Sequence, residues 1–261
     1  MRIATWNINS VRLRAGIVGK FLADHNIDIL CLQETKTEDK TFPKEFFENI
    51  GYEHLMFSGE KSYNGVAIIS RVKLEFDKKL NFVNDHKRHI SARGKYGKKD
   101  FELHNVYIPA GGDIPDPKLN DKFLHKLDYC RELAKFYPKS RKTETIVVGD
   151  FNIAPYEHDV WSHKQLLGVV SHTPVEVELL EKFRRSVDFV DIAREFVPHN
   201  EKLYSWWSYR NQDWRKSDRG RRLDHIWATN DIAGKVKKFE IIKDIRDYPQ
   251  PSDHVPVIVE L

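Results

Sequence analysis

The sequence predicts an α/β sandwich in which two packed sheets carry helices on their outer faces. Three observations predict it. Strand-like and helix-like segments alternate from end to end, the opening segments read β-α-β, and the second half repeats the grammar of the first, with apolar strands ending in polar Asp/Asn clusters. No low-complexity linker divides the halves. A chain of 261 residues lies near the upper limit of one compact domain, so its length allows one or two domains, and with no linker between the halves a single domain over 1–261 is expected.

The elements follow in order. "RIATWNI" alternates enough to be a strand, and "SVRLRAGIVGKFLADH" sets Leu13, Ile17 and Phe21 at four-residue spacing, the mark of an amphipathic helix. "IDILCLQE" reads as a second, buried strand. Further strands are expected in "YNGVAIISR", "HISARGK", "DFELHNVYIP" and "TETIVVGDFN", before and after a turn-rich loop "IPAGGDIPDP" where Gly and Pro forbid a continuing strand. A long helix is expected over "NDKFLHKLDYCRELAKFY", with Phe123, Leu124, Leu127, Cys130 and Leu133 or Ala134 on one face. Late strands "RLDHIWAT", "VKKFEIIKD" and "VPVIVEL" close the chain. In the last, Val255, Val257 and Val259 alternate around Pro256, Ile258 and Glu260, as in a half-buried strand with Asp253 and His254 at its mouth. That pair is either a turn-forming Asp beside a surface His or part of a site.

Composition narrows the function classes. Hydrophobic residues make up 40% and charged residues 31%, a globular balance that argues against extended disorder. Of the two cysteines, Cys31 lies inside an apolar run, where a buried reduced thiol is expected, and no disulfide framework is implied. No segment approaches the ~18 apolar residues of a membrane span, so a cytoplasmic protein without membrane contact is expected. The net charge of +4 and pI of about 8.8 favour polyanionic partners. The distribution is more telling. Residues 202–222 hold seven Lys/Arg against two Asp, with Tyr204, Trp206, Trp207, Tyr209 and Trp214 threaded among them. Cations that track phosphates and aromatic faces that pack on a sugar or base explain such a segment, although Trp207 fits a core position equally well.

Carboxylates, amides and one His recur just past apolar strands: Asn7 and Asn9, Glu34, Asp150 and Asn152, Asp224, and Asp253 with His254. Each alone would serve as a turn former, but strand ends gather at sheet edges, where groups remote in sequence converge. The set has oxygen ligands, one imidazole and a nearby phenol, Tyr107, yet no Ser or Cys in a nucleophile setting, no HExxH, no paired CxxC and no phosphate-cradling glycine loop. Such ligands suit Mg²⁺ or Mn²⁺ rather than zinc, and the chemistry they fit is metal-assisted hydrolysis of a phosphate ester.

In this order, "TWNINSVR", "LQETK", "YNGVAI", "VYIPAGGD", "GDFNIAP", "SWWSYR", "RLDHIW" and "PSDHVPV" resemble the exonuclease III-type apurinic/apyrimidinic endonucleases of the endonuclease/exonuclease/phosphatase superfamily, over residues 1–261. The resemblance implies a four-layered α/β sandwich with two packed mixed sheets flanked by helices. It makes Glu34 the principal metal carboxylate, with Asn7 beside it and Asp253 at the metal edge. Asp150 would orient and deprotonate the attacking water, Asn152 would donate an amide hydrogen bond, and their i, i+2 spacing on an extended segment would point both the same way. His254 would contact a phosphate oxygen while Asp224 holds its other nitrogen, and Tyr107 would touch the phosphate as donor or phenolate. Trp206 and Leu223 would line a pocket for an extruded abasic sugar, with Arg221 and Arg222 among the DNA-binding cations. The run "KRHISARGKYGKK" is explained most plainly as a surface strand.

The implied activity is that of a Mg²⁺-dependent DNA repair nuclease, with Mn²⁺ as the other plausible ion. It would act as a monomer on duplex DNA, cutting 5′ to abasic sites and working on recessed or blocked 3′ ends as a 3′→5′ exonuclease or 3′ phosphodiesterase. Ala110, Asp113, Arg221 and Asn9 depart from the residues seen in some relatives, which bears on the balance of those activities. The alternatives are a phosphodiesterase or phosphatase acting on RNA, inositol phosphates or phospholipid head groups, and a catalytically silent DNA-binding protein.

Overall fold

A computed structural model describes residues 1–76, 87–140, 144–211 and 213–261. Thr143, at the head of an expected strand, and Gln212, within the aromatic-basic segment, lie outside the described residues. The first half runs β1 (Arg2–Asn7), α1 (Val11–Asp24), β2 (Ile29–Gln33), α2 (Lys44–Asn49), β3 (His54–Glu60), β4 (Tyr63–Ser70), β5 (Glu75–Phe76), β6 (His89–Tyr96), β7 (Lys99–Tyr107) and α3 (Asp121–Ser140). The second half runs β8 (Glu144–Asp150), α4 (His163–Leu166), α5 (Pro174–Arg185), β9 (Val190–Asp191), α6 (Ile192–Phe196), β10 (Trp206–Trp207), α7 (Trp214–Ser217), β11 (Gly220–Arg221), β12 (Asp224–Ala228), α8 (Asn230–Ala233), β13 (Lys238–Ile241) and β14 (Val257–Glu260).

Twelve of these strands form two six-stranded sheets, ordered β13-β14-β1-β2-β4-β3 and β5-β6-β7-β8-β12-β9. Both are mixed: β1 and β2 are parallel, as are β7 and β8, while their other neighbours run antiparallel. Between the sheets lies one core, with Ile3, Ile29, Cys31, Val66 and Ile68 from the first sheet meeting Ile90, Leu103, Ile146, Val148 and Ile226 from the second. Two further cores lie outside. Ala4, Trp6, Leu30 and Ile258 pack beneath α1 and α2, and Val106, Val147 and Trp227 beneath α3 and α5. Four layers result, because every strand of a central sheet has two faces to cover.

Three expectations need correction. Helix α1 buries Val11, Arg14, Val18, Phe21 and Leu22, and Leu13 is 58% exposed. A strict four-residue repeat drifts about 40° per step from a 3.6-residue turn, so Leu13 rotates off the stripe that Phe21 occupies. In α3, Phe123, Leu127, Cys130 and Leu133 are buried, but Leu124 faces solvent. Strand β14 is covered on both faces: it lies between β13 and β1, with Val257 and Val259 in the inter-sheet core and Ile258 under the helices. Among the described residues no helix is long and apolar enough to cross a membrane.

Candidate active site

Alternation along the strands builds the site. The inter-sheet positions read Ile3, Thr5, Asn7 in β1; Ile29, Cys31, Gln33 in β2; Phe101, Leu103, Asn105, Tyr107 in β7; and Ile146, Val148, Asp150 in β8. Along each row apolar side chains give way to polar ones toward the same rim. Tyr107 is level with Asp150, and Asp150 pairs with Asp224 across β12, so all three project from one face. Gly149, at φ 146, lets β8 lie flush with β7, since a Cβ there would meet the Val106 carbonyl oxygen at 1.8 Å. Beneath the rim a buried amide bridge ties the sheets together: Gln33 Nε2 donates to Asn105 Oδ1 at 2.7 Å.

His254 arrives from the C-terminal segment. Trp6 Nε1 donates to its carbonyl oxygen and Ser252 Oγ donates to the Asn7 carbonyl, which clamps the segment to β1. The ring places Nδ1 2.8 Å from Asp224 Oδ2 and Nε2 3.7 Å from Asp150 Oδ2. Burial disfavours the charged imidazole, but the Asp224 and Asp150 carboxylates outweigh it and push the His254 pKa up to about 10. Burial pushes Asp150 up to about 7, with His254 opposing and Asp224 adding to the rise. Asn7 Nδ2 donates to Asp150 Oδ2 at 2.8 Å and to Glu34 Oε1 at 3.0 Å, and Tyr107 donates to Glu34 Oε1 at 2.7 Å. Burial and the Glu34 carboxylate hold the Tyr107 phenol well above its ordinary range, so it serves as a donor. Asn7, Glu34, Tyr107, Asp150 and Asn152 thus form one hydrogen-bonded group, and the hydrogen-bonded Asp224–His254 pair faces it across the 3.7 Å between Nε2 and Asp150 Oδ2. Asn9, Ser10, Glu34 and Asn152 all take positive φ, a concentration of backbone strain at one place.

Contrary to the expectation from its i, i+2 spacing, Asn152 does not continue an extended segment from Asp150. Its φ is 52, so the backbone is not extended there. A tight turn brings its side chain back, with the Asn152 amide nitrogen donating to Asp150 Oδ2 and its backbone N–H to Asp150 Oδ1.

A divalent cation fits the Glu34 side. There the Lys36 ammonium already rests between Glu34 Oε2 and Asn9 Oδ1, each 2.7 Å away, in an oxygen-lined position of the kind a hard cation takes. Burial would raise Glu34, but Lys36, Asn7 and Tyr107 together bring it below its ordinary value, so the carboxylate is ionised. Asp150, Asp224 and His254 also bring one donor atom each within 4.8 Å of the others, and Asp224 Oδ1 is buried with no hydrogen-bond partner among the described residues. That cluster suits a ligand less well, because a charged imidazole offers no lone pair. Asp253 borders the Glu34 side through Asn9: its oxygens take Trp206 Nε1 at 2.9 Å and Asn9 Nδ2 at 3.2 Å.

On the substrate side, β10 and β11 pair Trp206 with Arg221, and a single bridge joins Trp206 to His254. Trp206 is half-buried against Leu223, and the Arg221 guanidinium lies over its ring, 5.4 Å from the centroid, with Nη1 donating to the Val170 carbonyl and to Ser171 Oγ. Arg222 requires correction as a DNA contact. It is 1% exposed and its guanidinium is held by Asp159 and Asp191, so no phosphate reaches it. Leu223 is likewise almost wholly buried, with Ala154, Val160 and Leu166. Trp207 is a core residue beside Tyr204 and Trp214. Sequence reasoning missed Lys36, although it ends a quoted motif; Arg88, whose guanidinium covers the Tyr107 ring; and Ser205, which donates to Asp224 Oδ2 at 2.6 Å. Ser205 opens the quoted "SWWSYR", but nothing in residue type or spacing marks it as the partner of Asp224.

The Endonuclease/Exonuclease/phosphatase family pattern matches residues 4–254. The chain is 28% identical over 274 residues to exodeoxyribonuclease III of Haemophilus influenzae, covering 100% of this chain and 99% of that one. Its fold superposes on an AP endonuclease from Archaeoglobus fulgidus with TM-score 0.91 at 33% identity, covering 100% and 99% of the two chains. It also superposes on the 3′ phosphatase NExo from Neisseria bound to product DNA hairpin, with TM-score 0.89 at 30% identity and the same coverage.

Proposed function

The chain belongs to the Endonuclease/Exonuclease/phosphatase family, and from that premise we propose that it is a DNA repair nuclease that hydrolyses phosphodiesters in duplex DNA with the help of Mg²⁺. The observation that carries the reading is His254 held between Asp224 and Asp150, with Asn7 linking Asp150 to Glu34 and a strand bridge joining His254 to the Trp206 that Arg221 covers.

The residues divide the work. Asp150, with a pKa near neutrality, takes a proton from the attacking water when ionised, and Asn152 orients that pair. Charged His254 presents Nε2–H to a phosphate oxygen, and Tyr107 and Asn7 supply further donors. Water adds to phosphorus as its proton passes to Asp150, the P–O3′ bond breaks, and the 3′ oxygen leaves as an alkoxide that takes its proton from bulk water, to which Asp150 later returns its own. Glu34, with Asn7 and Asn9 oxygens near it, would hold Mg²⁺, or Mn²⁺ in its place, which supplies charge stabilisation on the scissile phosphate. Trp206 packs against the sugar at an abasic site or a frayed 3′ end, and Arg221 neutralises the adjoining phosphate. The enzyme acts as a monomer in the cytoplasm.

A 5′-labelled duplex with one abasic analogue, incubated with and without Mg²⁺ and resolved by length, tests this. A single incised band is expected, and a ladder would report 3′→5′ exonuclease action. Cleavage of an inositol polyphosphate but not of the duplex, or binding without EDTA-sensitive nicking, would overturn the proposal.

A further inference from the structure

Asn152 reaches Asp150 because its backbone turns through a φ of 52, a left-handed conformation that Asn tolerates better than most residues, and its amide nitrogen also donates to the Ile108 carbonyl at 2.9 Å. Lys126 on α3 holds the same turn from its carbonyl side. Its Nζ donates to the Asn152 carbonyl at 2.8 Å and to the Ala110 carbonyl at 3.2 Å, and lies 2.5 Å from Glu176 Oε1 on α5. Both side chains of this ion pair are 0% exposed. The Glu176 carboxylate is itself saturated: the Ser171 N–H donates to both oxygens at 3.0 Å, and the N–H and hydroxyl of Thr173 donate to Oε2. Ser171 Oγ then receives Arg221 Nη1 at 2.6 Å. One polar path therefore runs from Asn152 through Lys126, Glu176 and Ser171 to the guanidinium over Trp206.

A buried ion pair is a poor device for stability alone. Desolvation offsets most of its attraction, so an apolar pair of similar volume serves a core as well or better. An apolar pair has no donors to aim at two loop carbonyls, and it leaves the Asn152 turn and the "IPAGG" loop free to shift.

We propose that Lys126 and Glu176 are positioning residues that lock Asn152 on Asp150 and fix that group in register with the Arg221 side of the pocket. The inference rests on the nuclease reading above, since neither residue touches substrate. Misplacing a reacting group by about 1 Å can lower turnover about a hundredfold, which sets the scale of the effect.

The test uses the full chain as wild type, Glu176→Gln and the double variant Lys126→Met with Glu176→Gln. Steady-state cleavage of the abasic duplex at saturating Mg²⁺ is measured beside thermal midpoint and DNA affinity. The double variant is expected to melt near the wild type and to bind DNA within about threefold, with kcat down about tenfold or more and KM little changed. Retention of kcat within about twofold overturns the inference, as does a loss that appears wholly in KM. Glu176→Gln, which keeps an oxygen for Ser171 and Thr173, supplies the same kcat criterion should the double variant fail to fold. A wild type that cleaves nothing sinks the nuclease reading and this inference with it, whereas a variant at the wild-type rate sinks the inference alone.

Discussion

His254 Nδ1 and Asp224 Oδ2 lie 2.8 Å apart, with the second nitrogen of the ring turned toward Asp150. Asp224 thereby fixes both the tilt of the imidazole and its charge. Asp224→Asn should lower the His254 pKa from about 10 toward 6.5 and reduce kcat by about 10²–10⁴-fold, the range of a positioned acid or base. The NMR titration of His254 and the turnover number check it together. Because the folded imidazole binds its proton more tightly than the unfolded one, its stabilisation is complete below 6.5 and disappears as pH rises through about 10. In the variant that decline of stability with pH should flatten.

The pH profile of cleavage should be bell-shaped. Asp150 acts only when ionised, so activity rises as pH passes about 7; His254 acts only when charged, so activity falls as pH passes about 10. The limbs belong to the coupled pair rather than to either residue alone. In Asp150→Asn the acid limb should vanish together with most turnover. A residual rate that still rises through neutrality would assign that limb to another group.

Removing the divalent cation should abolish cleavage without unfolding the chain, because the Lys36 ammonium neutralises Glu34 from its own side. The thermal midpoint should be nearly the same in EDTA as in Mg²⁺ at concentrations below its Kd, and rise only as RT ln(1 + [L]/Kd) above it. Glu34→Gln should raise the Mg²⁺ concentration for half-maximal activity about 10–100-fold, read from a metal titration of the rate.

Arg222→Met should destabilise by about 3–5 kcal/mol in denaturant melts, because it leaves Asp159 and Asp191 buried with one guanidinium fewer. The salt dependence of DNA binding should not change, since the lost cation never met a phosphate.

The two adjacent tryptophans should separate cleanly. Trp206→Ala weakens DNA binding by about 1–3 kcal/mol through lost stacking, with little effect on the melt. Trp207→Ala empties a fully buried site and should destabilise by about 3–5 kcal/mol, measured by thermal or chemical unfolding.

Much of this was legible in the chain. Alternation in "RIATWNI" and "TETIVVGDFN" marks strands whose last inter-sheet residue is polar, and that change of polarity locates Asn7 and Asp150 at a rim. The composition of the Trp206–Arg221 segment raises the expectation of a polyanion-binding surface, which the Trp206→Ala measurement tests. What periodicity could not give is which charged residues stay outside. Arg221 and Arg222 are neighbours in one basic run, yet one lies over Trp206 at the pocket and the other is sealed between two aspartates. Short elements such as β5 and β9 carry too few residues to alternate visibly.

By itself, then, the sequence determined the order of strands and helices, the polar residues that end them and the oxygen-rich chemistry they offer, because hydrophobic period and residue type are local properties. Tertiary structure alone decided that Asp224 faces His254, that Lys36 sits on Glu34 and that Lys126 holds Asn152. Those contacts depend on which strands and helices become neighbours and in what register, and a shift of one residue in β12 alone would turn Asp224 to the opposite face of its sheet.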